Sequence, residues 1–148
     1  MIVFLALTAQ ALAIVEEPAA APPPTDTAVT ATPAPMPPQD WTMLPTLRLA
    51  KPVVDSPALA QFVRGEVASG RCSAQRPIGT GYSLKIEIAV LVTPQGLVRR
   101  TVPRAIGCPS VEQYSAGLAF SRVMGNVLTD GLKSDSWYRT SMAFAWPG

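Results

Sequence analysis

The chain has 148 residues, 48% of them hydrophobic, with sixteen prolines, two cysteines, no histidine and a formal net charge of +2. That length holds one domain, since a single core organises about 100 to 200 residues, and the missing histidine removes the commonest general base and the commonest neutral metal ligand. No Lys or Arg precedes residue 41, where Glu16, Glu17, Asp26 and Asp40 stand alone, whereas residues 41–148 carry twelve Lys/Arg against six Asp/Glu. These positives are scattered and lack the aromatic-interleaved cluster of a nucleic-acid site, so nucleic acid is not expected as a partner.

The apolar run from Ile2 to Val15 is too short to cross about 30 Å of hydrocarbon comfortably as a helix. It reads as the core of a signal peptide over residues 1–13, with small residues at the −3 and −1 positions of cleavage sites after Ala11 and Ala13. An uncleaved leader would instead act as a membrane anchor. Residues 14–40 are dominated by Pro, Ala and Thr, including Pro22-Pro23-Pro24. With almost no large apolar side chains they cannot offset their ordering entropy, and they are expected to form a disordered, extended tether leading to one domain over 41–148.

Within that domain, Ser56 and Pro57 form an N-cap and a first helical position, and Leu59, Phe62, Val63 and Val67 share a stripe before Gly70, which predicts a helix over 57–69. From Leu84 to Val92 the pattern has period two, with Leu84, Ile86, Ile88, Val90 and Val92 on a buried face and Lys85 and Glu87 on an exposed one. Thr93-Pro94-Gln95-Gly96 is a turn sequence, and a second strand follows over Leu97 to Pro103 with Val98 and Val102 inward. Ser110 with Gln113 reads as a capping box opening a helix over 111–128, which Asp130-Gly131 ends. Trp137 to Trp146 returns to period two, with Tyr138, Met142, Phe144 and Trp146 on one face and Arg139, Ser141 and Ala143 on the other. Helix, strand, strand, helix, strand implies an α+β fold: a small antiparallel sheet of about three strands with both helices packed on one face. The last strand, arriving after a helix, is expected to be an edge, and an open edge is an aggregation liability or a docking surface.

Candidate chemistry is sparse. The serines lack an activating base and the carboxylates show no paired spacing, so no enzyme activity and no catalytic residue is expected. Gly65, Gly70, Gly79 and Gly81 form no phosphate-binding fingerprint, and neither a cofactor nor a metal is expected. Cys72 and Cys108 lack C-x-x-C spacing and have no histidine to complete a zinc site. In an oxidising compartment they are expected to pair as a disulfide closing a loop of about 36 residues, worth about 3–4 kcal/mol in the chain-entropy model.

The hairpin from Ile86 to Val98 with its Thr-Pro-Gln-Gly turn, the loop Gly107-Cys-Pro-Ser110, the helix after it and the closing aromatic strand together resemble the TonB C-terminal domain family. The resemblance covers residues 57 to 146. In place of the family's tryptophan motif at the end of the long helix stands Val123-Met-Gly-Asn-Val-Leu128, and in place of its Tyr-Pro motif stands Val53-Val-Asp-Ser-Pro57. The resemblance implies a TonB C-terminal-like fold, a periplasmic location and a stand-alone interaction module. Its partner would be an extended segment of an outer-membrane or envelope protein, added as a strand along the edge that carries Trp137, Arg139, Ser141 and Ala143. An envelope structural protein associated with the cell wall, and an energy transducer anchored in the inner membrane by an uncleaved leader, are the alternatives. The oligomeric state is left open.

Overall fold

A computed structural model describes residues 34–53, 56–73 and 76–148. The expected signal peptide and most of the expected tether lie outside these residues. The chain folds in the order α1 (Pro57–Ala68), β1 (Arg76–Ile78), β2 (Gly81–Val92), β3 (Val98–Pro103), α2 (Pro109–Val123) and β4 (Ser136–Pro147), an α+β domain with one antiparallel sheet. The sheet has four strands rather than three. The added strand, β1, is three residues long, and its Arg-Pro-Ile sequence carries no alternation by which a sequence pattern could reveal it.

β2 is the centre of the sheet. All of its twelve residues pair with β4, from Gly81 opposite Pro147 to Val92 opposite Ser136, while β1 and β3 share its other flank. The expected inward row, Leu84, Ile86, Ile88, Val90 and Val92, is at most 1% exposed and meets Met142, Phe144 and Trp146 of β4 and Val63, Val111, Ala119 and Val123 of the helices in one cluster. Both helices therefore cover one face, and burying these branched and aromatic side chains is the main driving force of the fold.

The hairpin turn forms as its sequence implies. Gly96 has φ of 78°, its N–H donates to the Thr93 carbonyl at 2.9 Å, and the Thr93 hydroxyl accepts from the amides of Gln95 and Leu97. Val102, however, does not point inward with Val98. A bulge between Leu91 and Val92 places Val98 opposite Val92 but Arg100 opposite Leu91, so β3 changes face and Val102 lies opposite Ala89 on the reverse side.

α1 keeps its predicted start, with the Ser56 hydroxyl accepting from the Ala58 amide, and it ends at Ala68. Its buried residues are Ala60, Val63 and Glu66; Phe62, expected in the apolar stripe, is 42% exposed and rests on the Tyr114 ring. α2 departs further from expectation. Its N-cap is Cys108 and not Ser110, and the Glu112 carboxylate accepts from the amides of Ile106 and Cys108. It stops at Val123, short of 128, because Gly125 enters the left-handed region and residues 126–128 pair with the segment before α1: the Leu128 amide donates to Arg48 and the Ala50 amide to Asn126. Tertiary pairing thus overrides a continuing apolar pattern.

The reverse face of the sheet is half covered, although β2 was expected to bury one side only. Ala89 and Leu91 are buried yet stand apart from the core cluster. The segment before α1 lies across them. An Arg100 Nη donates to the Ala34 carbonyl at 2.7 Å, and the Arg104 guanidinium stacks 4.6 Å from the buried Trp41 ring. This strap then rounds the outside of β4 at Thr46 and places Leu47 in the core on the helix side. Residues 34–40, assigned by composition to the tether, belong in part to this strap.

Candidate functional site

β4 has β2 on one side and no other named strand on its second side. Direct partners in an antiparallel ladder share a face, and successive residues alternate the direction of their backbone groups. The Arg139 amide donates outward to the Pro45 carbonyl at 2.9 Å, and the Arg139 carbonyl accepts from the Leu47 amide at 2.8 Å. By the same alternation the N–H and C=O of Ser141, Ala143 and Ala145 face outward too. Among the described residues no further backbone pairing reaches this edge beyond the parallel bridge of Thr46 with Arg139. The chain thus carries one short strand addition of its own, and among the described residues no backbone group pairs with the next positions of the same edge.

Hollows flank those open positions on both faces. On the helix side, one of about 190 Å³ lies among Leu47, Leu49, Val53, Ala119 and Met142, and a second of about 220 Å³ lies between the start of α1 and Ala143 to Ala145. On the reverse side, a polar hollow of about 220 Å³ is bounded by Thr46, Lys85, Glu87, Arg139, Thr140 and Ser141. Side chains alternate along any added strand, so hollows on both faces suit an extended ligand better than a compact one.

At the junction of the helices the polar groups are instead closed on one another. Cys72, following α1, is bonded to Cys108 at the start of α2, with 5.0 Å between their α-carbons. Beside it, the buried Glu66 carboxylate accepts from Arg71 Nε at 3.0 Å and Nη2 at 2.6 Å, and from the Ser110 hydroxyl at 2.6 Å. The Arg71 hydrogen bonds, then that of Ser110, outweigh the cost of burial and hold the Glu66 carboxyl at about 2, well below its ordinary 4.5. These contacts tie α1, the loop after it and the start of α2 together.

Of the residues expected at the edge, Arg139, Ser141 and Ala143 are exposed and turn their side chains to the reverse face, opposite Ala89, Glu87 and Lys85. Trp137 is half-buried opposite Leu91, and the strap already occupies the backbone at Arg139. The four expected positions are therefore not equivalent. Sequence reasoning missed Thr46 and Lys85 as neighbours of the edge. Lys85 was legible as exposed, but only the β2–β4 register brings it beside Ala143. Among the described residues no helix is long and apolar enough to cross a membrane. Comparison of the chain with protein-family models, curated proteins and solved structures finds no match.

Proposed function

We propose that the domain is a non-catalytic interaction module that binds an extended segment of an outer-membrane or envelope protein by adding it as a strand along Ser141 to Ala145 of β4. The observation that carries this reading is the short pairing at Arg139, where Pro45 and Leu47 make the two backbone bonds that an external strand would continue. Outward backbone groups supply affinity in such complexes, and the flanking hollows supply selectivity. A periplasmic location agrees with the Cys72–Cys108 disulfide, since such bonds persist in oxidising compartments.

Ser141→Pro tests the reading, because it removes an outward N–H without touching the ladder to β2. The variant is expected to keep its circular dichroism spectrum and to lose the envelope proteins that the wild-type chain retains in a pull-down from envelope extract. A folded Ser141→Pro protein that captures the same proteins with unchanged affinity rules out strand addition here. Retention of cell-wall polymer alone, released by salt, would favour an envelope structural role.

A further inference from the structure

The reverse-face hollow has an unbalanced charge. Lys85 and Arg139 border it, and neither side chain has an acidic partner among the described residues. Among the described residues at its wall the one carboxylate, Glu87, is held by Arg104 at 2.9 Å. Arg104 follows β3, and its amide donates to the Glu87 carbonyl, so it engages Glu87 from the flank of β2 opposite β4. Among the described residues the β4 side is left with two cations that have no acidic partner and with the hydroxyls of Thr46 and Ser141. Strands lie about 4.8 Å apart, so a residue added beside Ala143 is about 10 Å from Lys85 at the backbone. The small Ala143 side chain lies between them and leaves that gap open to a lysine and a carboxylate reaching toward each other.

We infer that this hollow is a subsite for an acidic side chain: an Asp or Glu on the added strand, turned to the reverse face beside Ser141 or Ala143, sits between Lys85 and Arg139. This rests on strand addition along β4 and adds what the strand must carry. The two cations reward a carboxylate and repel a lysine, so the subsite fixes register and excludes basic segments.

The test uses the full chain and short capped peptides of alternating valine and threonine, with Glu, Gln or Lys replacing the central threonine, each also made with N-methylated backbone amides. The Glu peptide is expected to bind about threefold to fivefold more tightly than the Gln peptide, the scale of an exposed ion pair, with the Lys peptide weakest. Added salt should shrink that preference, Lys85→Met and Arg139→Gln should each reduce it, and N-methylation should abolish binding. Equal binding of all three peptides that N-methylation still abolishes would overturn the subsite and leave strand addition standing. Failure of every peptide to bind would overturn both. A Glu preference that survives N-methylation would mean that the hollow takes a free carboxylate without a strand, which also refutes the inference as stated.

Discussion

Around the helix junction, a disulfide and a buried carboxylate with three hydrogen bonds join α1, the loop after it and the start of α2. Along the outside of β4, closure depends on two backbone bonds at one residue, contributed by a strap whose main hydrophobic anchor on the reverse face is Trp41. Opening free energies differ across a structure, and segments that must receive a ligand come from the weakly held end. A small domain with little surplus stability can leave an edge unpaired when another part of it is cross-linked. The contrast between the two regions is therefore an allocation of stability, and it can be broken from either side.

The largest effect is expected from the covalent tie. Replacing both Cys72 and Cys108 with Ser should cost about 3–4 kcal/mol, read as a lower urea midpoint at unchanged slope. A loss below about 1 kcal/mol would mean that the junction is held by its other contacts and that the contrast has been overstated.

Trp41→Ala acts on the opposite side and should cost about 3 kcal/mol, at the low end for a buried aromatic. Its effect should be local as well as global: amide exchange at Arg139 and Leu47 should quicken more than at Ile86 or Val90, because the strap detaches while the core cluster stays closed. Uniform acceleration across the domain would show that the strap is an integral part of the core.

The smallest effect concerns pH. The Glu66 carboxyl titrates at about 2 when folded against 4.5 ordinarily, so its contribution is fully present above pH 4.5 and is lost as pH falls from there toward 2. The difference in melting temperature between wild type and Glu66→Gln should be constant above pH 5 and should narrow on acidification. A difference independent of pH would show that the carboxylate form has no advantage over an isosteric amide at this junction.

Local signals carried much of the fold. The Ser56-Pro57 start of α1, the period-two rows of β2 and β4 and the Thr93–Gly96 turn depend on contacts within a few residues, and each stands where the sequence implied. The errors fall where a distant segment intervenes. α2 ends early because residues 126–128 pair with 48–50; Ser110 leaves its cap for Glu66; and Ala89 and Leu91 are buried on a face where a strap lies that begins in residues composition had assigned to a tether. None of these partners is near in sequence, so no periodicity announces them.

The same division holds for the candidate site. The sequence by itself determined that the last strand alternates, that Arg139, Ser141 and Ala143 share a face, and that two cysteines without histidine would pair with each other, because alternation and cysteine count need no knowledge of neighbours. Only the tertiary structure decided that Pro45 and Leu47 take the backbone at Arg139, that among the described residues no such pairing continues from Ser141 onward, and that Lys85 stands beside Ala143. Register and strand order decide such things, and both emerge only when the hydrophobic faces of β2, β4 and the two helices are buried against one another.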